Sequence, residues 1–375
     1  MNIQQLSDTE IKEAVRNGTE RQDIRIRLGR IYRKENRPED AIRQFQIVAQ
    51  TGRAKDELWF KNWMLNEIEI CQKKHILESK PRALVASLTN RCNIRCIMCE
   101  ICDDPWDMSE KTVTDIKNLM PYLQYVTWSG GEPFLSDYFY ELFNMALEQK
   151  ELGQTVVTNG LLIDEQWAQI LNSSKVTILM SIDGVSKTIY EQIRKGGKFE
   201  KLLKSIELLN KYKKAGRQSD LTMQMVVMKE NFKELGNVMD FAQKHNFSRV
   251  SLIPLNDSVN DKNSFYHTPE FNDYITHAMT DITQQAGEYN IKIINGLPLH
   301  SPCTTSERII SDTASCSDAP PGDTLPPCLW PWQHICICSQ DTIFIHCFCV
   351  HMPIGTLDEK SLLDIWNNDK IQEIR

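Results

Sequence analysis

Ala83-Leu84-Val85-Ala86-Ser87-Leu88 is followed, after Thr89-Asn90, by Arg91-Cys92-Asn93-Ile94-Arg95-Cys96-Ile97-Met98-Cys99. The first run is almost wholly apolar, the pattern of a strand buried on both faces of a parallel sheet. The second places three thiols on one short loop leaving that strand. Three thiolates can bind three irons of a 4Fe-4S cube and leave the fourth open, because a full ligand set needs four Cys. With twelve Cys in 375 residues, random placement gives this pattern roughly 0.01 times per chain. Zinc is the competing reading, with Cys102 as a fourth ligand.

Working outward, residues 81–255 alternate short apolar runs with amphipathic stretches, as in βα units around a parallel sheet. Six strands are expected, at Ala83–Leu88, Tyr125–Trp128, Gln154–Val157, Val176–Ser181, Leu221–Val227 and Arg249–Ile253. Helix-like segments lie between them, for example Asp137–Glu151 and Lys198–Ala215. Right-handed crossovers curve such a sheet into an α/β partial (β/α)6 TIM barrel, open on one side. Active groups in these folds lie past the carboxyl ends of the strands. The three Cys follow strand one, Gly130-Gly131-Glu132-Pro133 strand two and Thr158-Asn159-Gly160 strand three, while Ser181-Ile182-Asp183-Gly184 ends strand four.

Gly130 and Gly131 permit close backbone approach to a ligand, Glu132 offers an anionic acceptor for an ammonium group, and Pro133 stiffens the turn. Over residues 81–255 the chain resembles the radical S-adenosylmethionine superfamily, whose Cys-x3-Cys-x2-Cys loop and Gly-Gly-Glu-Pro turn are matched in type, order and spacing. The resemblance implies a 4Fe-4S cluster on Cys92, Cys96 and Cys99. Its open iron would chelate S-adenosylmethionine, which is cleaved reductively to a 5'-deoxyadenosyl radical. It further implies that Met98 packs against the adenine, Glu132 holds the amine, Ser181 and Asp183 meet the ribose or carboxylate, and Arg194 meets the carboxylate. Asn159 is a further candidate for that pocket. Two blander roles compete: Arg194 pairing with Glu191, and Ser181 capping the next helix.

The flanks differ in character. Residues 1–80 are polar and helical by pattern, with Leu28, Gly29, Tyr32, Ala41 and Phe45 spaced as in one tetratricopeptide-like repeat. Trp59, Phe60, Trp63 and Met64 are expected to continue the stack or dock it on the barrel. Residues 256–327 read as a connecting region. The tail, 328–375, holds Cys328, Cys336, Cys338, Cys347 and Cys349, with Cys303 and Cys316 on the preceding loop. Ile335–Cys338 and Ile343–Cys349 flank Ser339-Gln340-Asp341-Thr342, a hairpin by alternation and turn residues. With Cys328-Leu329-Trp330-Pro331-Trp332 and the last helix, this resembles a shortened SPASM or twitch extension, which binds an auxiliary iron-sulfur cluster. The resemblance implies Cys328 and Cys347 as ligands, with Cys349, Cys316 and Cys303 competing for the remaining places. Cys336 and Cys338 also fit a buried sheet, and a zinc knuckle is the alternative for the tail. Cys102 and the hairpin thiols are candidate hydrogen-atom donors to a carbon radical, as an epimerase would require.

A net charge of −7 disfavours broad nucleic-acid binding. No apolar leader and no run of about eighteen apolar residues points to a membrane, so a cytoplasmic protein is expected. The resemblance implies a reducing partner such as flavodoxin or ferredoxin. It also implies a peptide or protein substrate, modified by oxidation, crosslinking or epimerisation, with a sugar or aminocyclitol as the alternative. A redox-sensing or electron-carrying iron-sulfur protein would not need Gly130–Pro133, Ser181 and Arg194.

Overall fold

The structure is a computed structural model. It describes residues 6–52, 54–99, 104–149, 151–172, 176–213, 220–255, 265–297, 328–345, 353–358 and 360–375. Six parallel strands form its centre: β1 (Ala83–Ser87), β2 (Tyr125–Ser129), β3 (Gly153–Thr158), β4 (Val176–Ser181), β5 (Asp220–Val227) and β6 (Arg249–Pro254). They lie side by side in chain order. Each matches its sequence-predicted position to within a residue or so, because an apolar run bounded by turn residues marks a buried strand at both ends.

The sheet extends beyond these six. On one edge β7 (Lys292–Asn295) adds parallel to β6, delivered by the helix Pro269–Tyr289. Both elements lie within the region read from sequence as a connection. On the other edge β8 (His334–Ile337) pairs parallel with β1, followed by antiparallel β9 (Thr342–Phe344) and β10 (Gly355–Thr356). The expected tail hairpin is thus β8–β9, and it continues the barrel sheet. Its turn places Gln340 and Asp341 at φ 56° and 50°, the two left-handed residues that a tight hairpin turn requires.

The pleat divides the barrel's side chains. Val126, Trp128, Val156, Ile178, Met180, Met223, Met225, Val250 and Leu252 are buried. Trp128 marks theirs as the outer face, meeting Phe139 of the helix Phe139–Glu148 edge-on at 6.3 Å. The opposite face is richer in polar groups. Register aligns Val85, Thr127, Thr155 and Thr177 in one row, and nearer the carboxyl ends Ser87 pairs with Ser129 and Ser181 with Gln224. Strands of a parallel sheet covered on both faces are usually apolar throughout; this inner face carries hydroxyls instead.

Four N-terminal helices, α1 (Asp8–Arg16), α2 (Gln22–Lys34), α3 (Pro38–Thr51) and α4 (Leu58–Cys71), precede the barrel. Gly29 and Phe45 make the α2–α3 contact, since a Cβ on Gly29 would stand 2.7 Å from the Phe45 ring. Phe60 and Met64 are buried against α3 residues, while Trp63 turns its indole N–H to Glu67 at 3.1 Å. Glu67, with no exposed surface, also meets Arg30, Arg33 and Arg82, the last from just before β1. Asn66 donates to Ser79 Oγ at 2.9 Å and to Trp332 O at 2.7 Å, and Trp366 donates to Ser79 O at 2.9 Å. The N-terminal helices and the tail therefore meet at the amino end of β1, opposite the end that carries the motifs. No helix among the described residues is long and apolar enough to cross a membrane.

Candidate active site

The cluster loop leaves β1 and is held from two sides. Gly131 N–H donates to Thr89 O at 2.7 Å and Glu132 N–H to Arg91 O at 2.8 Å, so the Gly130–Pro133 turn lies directly on the backbone that leads into Cys92. A side chain there is excluded: a Cβ on Gly130 would stand 2.3 Å from Thr89 O, and one on Gly131 2.3 Å from Arg91 O. Gly130 also has φ 124°, which residues with side chains rarely adopt. From the other side, Arg95–Cys96 and Arg194–Lys195 form a short antiparallel ribbon in which Cys96 faces Arg194. Ile97 N–H extends it by donating to Ile193 O at 3.0 Å.

Glu132 is fully buried. Its carboxylate accepts from Thr158 Oγ1 at 2.7 Å and from Asn159 N–H at 2.9 Å. Burial nevertheless pushes its pKa up to about 7, against these donors and the positive charge of Arg194. An ionised carboxylate has about four acceptor sites, so capacity remains for an incoming cation, whose charge would favour the ionised form. Asn159 links this carboxylate to the cluster loop: its Nδ2 donates to Asn93 Oδ1 at 2.8 Å and lies 3.7 Å from Cys92 Sγ.

Cys92 and Cys96 are half-buried and Cys99 is exposed. Burial raises the Cys92 thiol and takes Cys96 to about 11, with Arg194 pulling both the other way. A bound metal cation would reverse that preference and hold the sulfurs as thiolates. Among the described residues no three Cys, His, Asp or Glu side chains converge closely enough to hold a single metal ion. Met98, on the same loop, is half-buried.

Asp183 and Arg194 form a buried ion pair at 2.6 Å. Asp183 also accepts from Val226 N–H at 2.8 Å, and burial raises its pKa against the pull of Arg194. For Arg194, burial opposes the charge, but Asp183 together with Cys96 and Tyr190 outweighs it, so the guanidinium is held charged. Glu191, the partner weighed from sequence, instead accepts from Phe199 N–H at 3.2 Å. Ser181 does not cap the following helix, Lys187–Ile193, whose cap is Ser186; it stands half-buried at the end of β4 beside Gln224. The structure therefore brings Cys92, Cys96, Gly130, Gly131, Glu132, Asn159, Asp183 and Arg194 to one end of the barrel. Thr158 and Tyr190 belong there too but were not read from sequence. Thr158 stood inside the quoted Thr158-Asn159-Gly160 motif, and Tyr190 stands four residues before Arg194, in the helix that Arg194 caps.

Of the tail cysteines expected as ligands, only Cys328 lies within the described residues, half-buried. Cys347, Cys349, Cys316, Cys303 and the candidate hydrogen donor Cys102 lie outside them. The Sγ atoms of Cys336 and Cys338 are 3.7 Å apart on the strand leading into the tail hairpin turn.

Residues 86–242 match the family described as the Radical SAM superfamily. The Cysteine-type anaerobic sulfatase-maturating enzyme of Clostridium novyi is 26% identical over 200 residues, 48% of this chain and 52% of the relative. Mycofactocin maturase MftC of Mycobacterium ulcerans is 30% identical over 177 residues, 46% of each. GTP 3',8-cyclases are matched as well. The chain spans about half the length of the first two relatives. In structure it is similar to Streptococcus suis SuiB bound to precursor peptide SuiA, with TM-score 0.58 and 19% identity, covering 89% of this chain and 79% of SuiB. The three-thiol loop and the Gly130–Pro133 turn both lie within the segment 86–242 that matches the Radical SAM superfamily.

Proposed function

We propose that this chain is a radical enzyme that holds a 4Fe-4S cluster on Cys92, Cys96 and Cys99, binds S-adenosylmethionine beside it, and acts on a peptide or protein. The observation that carries the reading is the double contact of Asn159, to Glu132 through its backbone and to Cys92 through its side chain. It couples the carboxylate suited to an ammonium group to a sulfur suited to iron. When bound, cluster and cofactor together supply hydrogen-abstracting chemistry, and the protein supplies orientation and exclusion of water.

Each residue has a physical task. Gly130 and Gly131 let the turn pack on the backbone that leads into Cys92, Glu132 accepts from the cofactor's amine, and Pro133 fixes the turn. Met98 covers the adenine, and Ser181 offers its hydroxyl to the ribose or carboxylate. Asp183 holds the Arg194 guanidinium in place to meet the carboxylate. Cys328 and Cys347 bind an auxiliary cluster, with Cys349, Cys316 and Cys303 completing its ligand set, and Cys102 is the candidate hydrogen donor. A small electron carrier such as flavodoxin or ferredoxin reduces the cluster. A peptide substrate is supported by the likeness to SuiB, solved with a precursor peptide, and by the two maturases; the hydroxyl-lined lumen suits a peptide backbone.

The test is anaerobic. Reconstituted protein given dithionite and S-adenosylmethionine should release 5'-deoxyadenosine, and Cys96→Ala should release none. Undiminished release from Cys96→Ala would refute the cluster assignment.

A further inference from the structure

Among the described residues, four buried side-chain polar atoms lack a hydrogen-bond partner: Asp183 Oδ2, Tyr190 Oη, Arg194 Nε and Asp341 Oδ1. Three of the four belong to one cluster of side chains behind the cluster loop. Native proteins leave few such groups unpaired, and an unpaired one calls for an explanation such as an absent ion or ligand. Asp183 and Arg194 at least have each other as an ion pair. The Tyr190 hydroxyl has no such compensation, and the residue has no exposed surface through which it could reach bulk water.

Its position is well defined. Tyr190 lies in the helix Lys187–Ile193, and Arg194 caps its end and opens the segment that pairs with Arg95–Cys96. The hydroxyl also lies beside Gly197, where an added Cβ would stand 3.4 Å from it. Gly197 N–H in turn donates to Arg194 O at 2.8 Å. Burial raises the phenol's pKa, against the pull of Arg194 and together with the charges of Cys96, Asp183 and Glu191, so it stays protonated; in the structure it makes no hydrogen bond to the Cys96 sulfur. A protonated phenol is a donor, and the sulfur of Cys96, whose residue pairs with Arg194 across the ribbon, becomes a strong acceptor once it is a thiolate.

We propose that Tyr190 is a positioning residue for the cluster: its hydroxyl donates a hydrogen bond to the Cys96 sulfur, or to a sulfide beside it, and so raises the cluster's reduction potential. The inference rests on the assignment of Cys92, Cys96 and Cys99 as ligands. A reduced cluster carries one more negative charge than the oxidised one, and hydrogen bonds to its sulfurs favour that state.

The experiment is Tyr190→Phe, which keeps the ring and removes only the hydroxyl. Wild type and variant are reconstituted anaerobically in the Cys328→Ala/Cys347→Ala background, so that one cluster is titrated. Iron content, apo-protein Tm and midpoint potential are measured for both. We expect equal iron, an apo Tm that is unchanged or higher, and reduction about tenfold less favourable, a potential lower by about 59 mV for one electron. An unchanged potential would overturn the proposal and leave the hydroxyl to a buried water. A lower apo Tm would overturn it as well, because the hydroxyl would then already have a partner within the protein. Failure of the parent protein to assemble any cluster would instead remove the ligand assignment itself, and this inference with it.

Discussion

Gly131→Ala tests whether the turn after β2 fixes the cluster loop. The new Cβ would stand 2.3 Å from Arg91 O and 2.6 Å from Asn90 O, both backbone atoms with no rotamer to escape into. Real Cβ contacts essentially never fall below 3.0 Å, so the two segments must separate by about 0.7 Å, of the order at which a supporting shell fails its site. The same movement stretches the Glu132 N–H to Arg91 O bond from 2.8 Å to the edge of hydrogen bonding. Overpacking costs about 1–3 kcal/mol and the weakened bond about 1 kcal/mol more, a total of about 2–4 kcal/mol. Because Arg91 immediately precedes Cys92, the shift carries into the first thiol. Urea unfolding of the apo-protein should show that loss, and anaerobic reconstitution should leave the variant with well under the wild-type iron. Gly287→Ala is the control. It lies exposed near the end of the helix Pro269–Tyr289 with nothing within 4 Å of the added Cβ, and should be neutral or gain up to about 1 kcal/mol. Wild-type stability and iron in Gly131→Ala would refute the claim that this turn sets the loop.

Two further predictions concern the flanks. Glu67 has its pKa lowered, because Arg30, Arg82 and Arg33 outweigh the cost of burial. Such a carboxylate contributes stability above its unfolded pKa, about 4.3, and that contribution is lost as pH falls toward the lower folded value. Glu67→Gln should therefore cost about 3 kcal/mol near neutrality, the low end for breaking a buried pair, since Arg30 and Arg33 keep some solvent contact. It should also flatten the acid limb of stability against pH; an acid limb parallel to wild type would contradict the role of the network. Separately, Cys328→Ala/Cys347→Ala should remove about four irons while S-adenosylmethionine cleavage stays detectable, and retention of all iron would exclude the auxiliary-cluster assignment.

How far the sequence could be read follows from which interactions are local. β1 to β6 were legible because each is an apolar run closed by turn residues, and the motifs sit where a parallel barrel puts its active groups. β7 was not, since Lys292-Ile293-Ile294-Asn295 is a short edge strand whose outer residues are polar and exposed. The parallel pairing of β8 with β1 joins segments about 250 residues apart, and no local pattern encodes a register at that separation. Within the site, the residue types of Glu132 and Arg194 were informative on their own. The partner of Arg194 was not: sequence spacing offered Glu191 as the bland alternative, and the turn after β4 brings Asp183 to it instead. Thr158 was missed for the same reason, because its hydroxyl is defined by what it faces, Glu132 from another segment; Tyr190 is defined by a burial no local pattern shows. Gly29 and Phe45 stood out in the sequence by their spacing, but neither their contact nor the Glu67 network that joins those helices to Arg82 was read from it.

The central claim is that three thiols leave one iron corner open to S-adenosylmethionine. The direct measurement is electron paramagnetic resonance of the dithionite-reduced Cys328→Ala/Cys347→Ala protein, recorded with and without that cofactor. A single reduced 4Fe-4S signal whose g-values change on adding S-adenosylmethionine, and which is absent once Cys96→Ala is added, is the predicted result. A signal indifferent to the cofactor, or one that survives loss of Cys96, would contradict it.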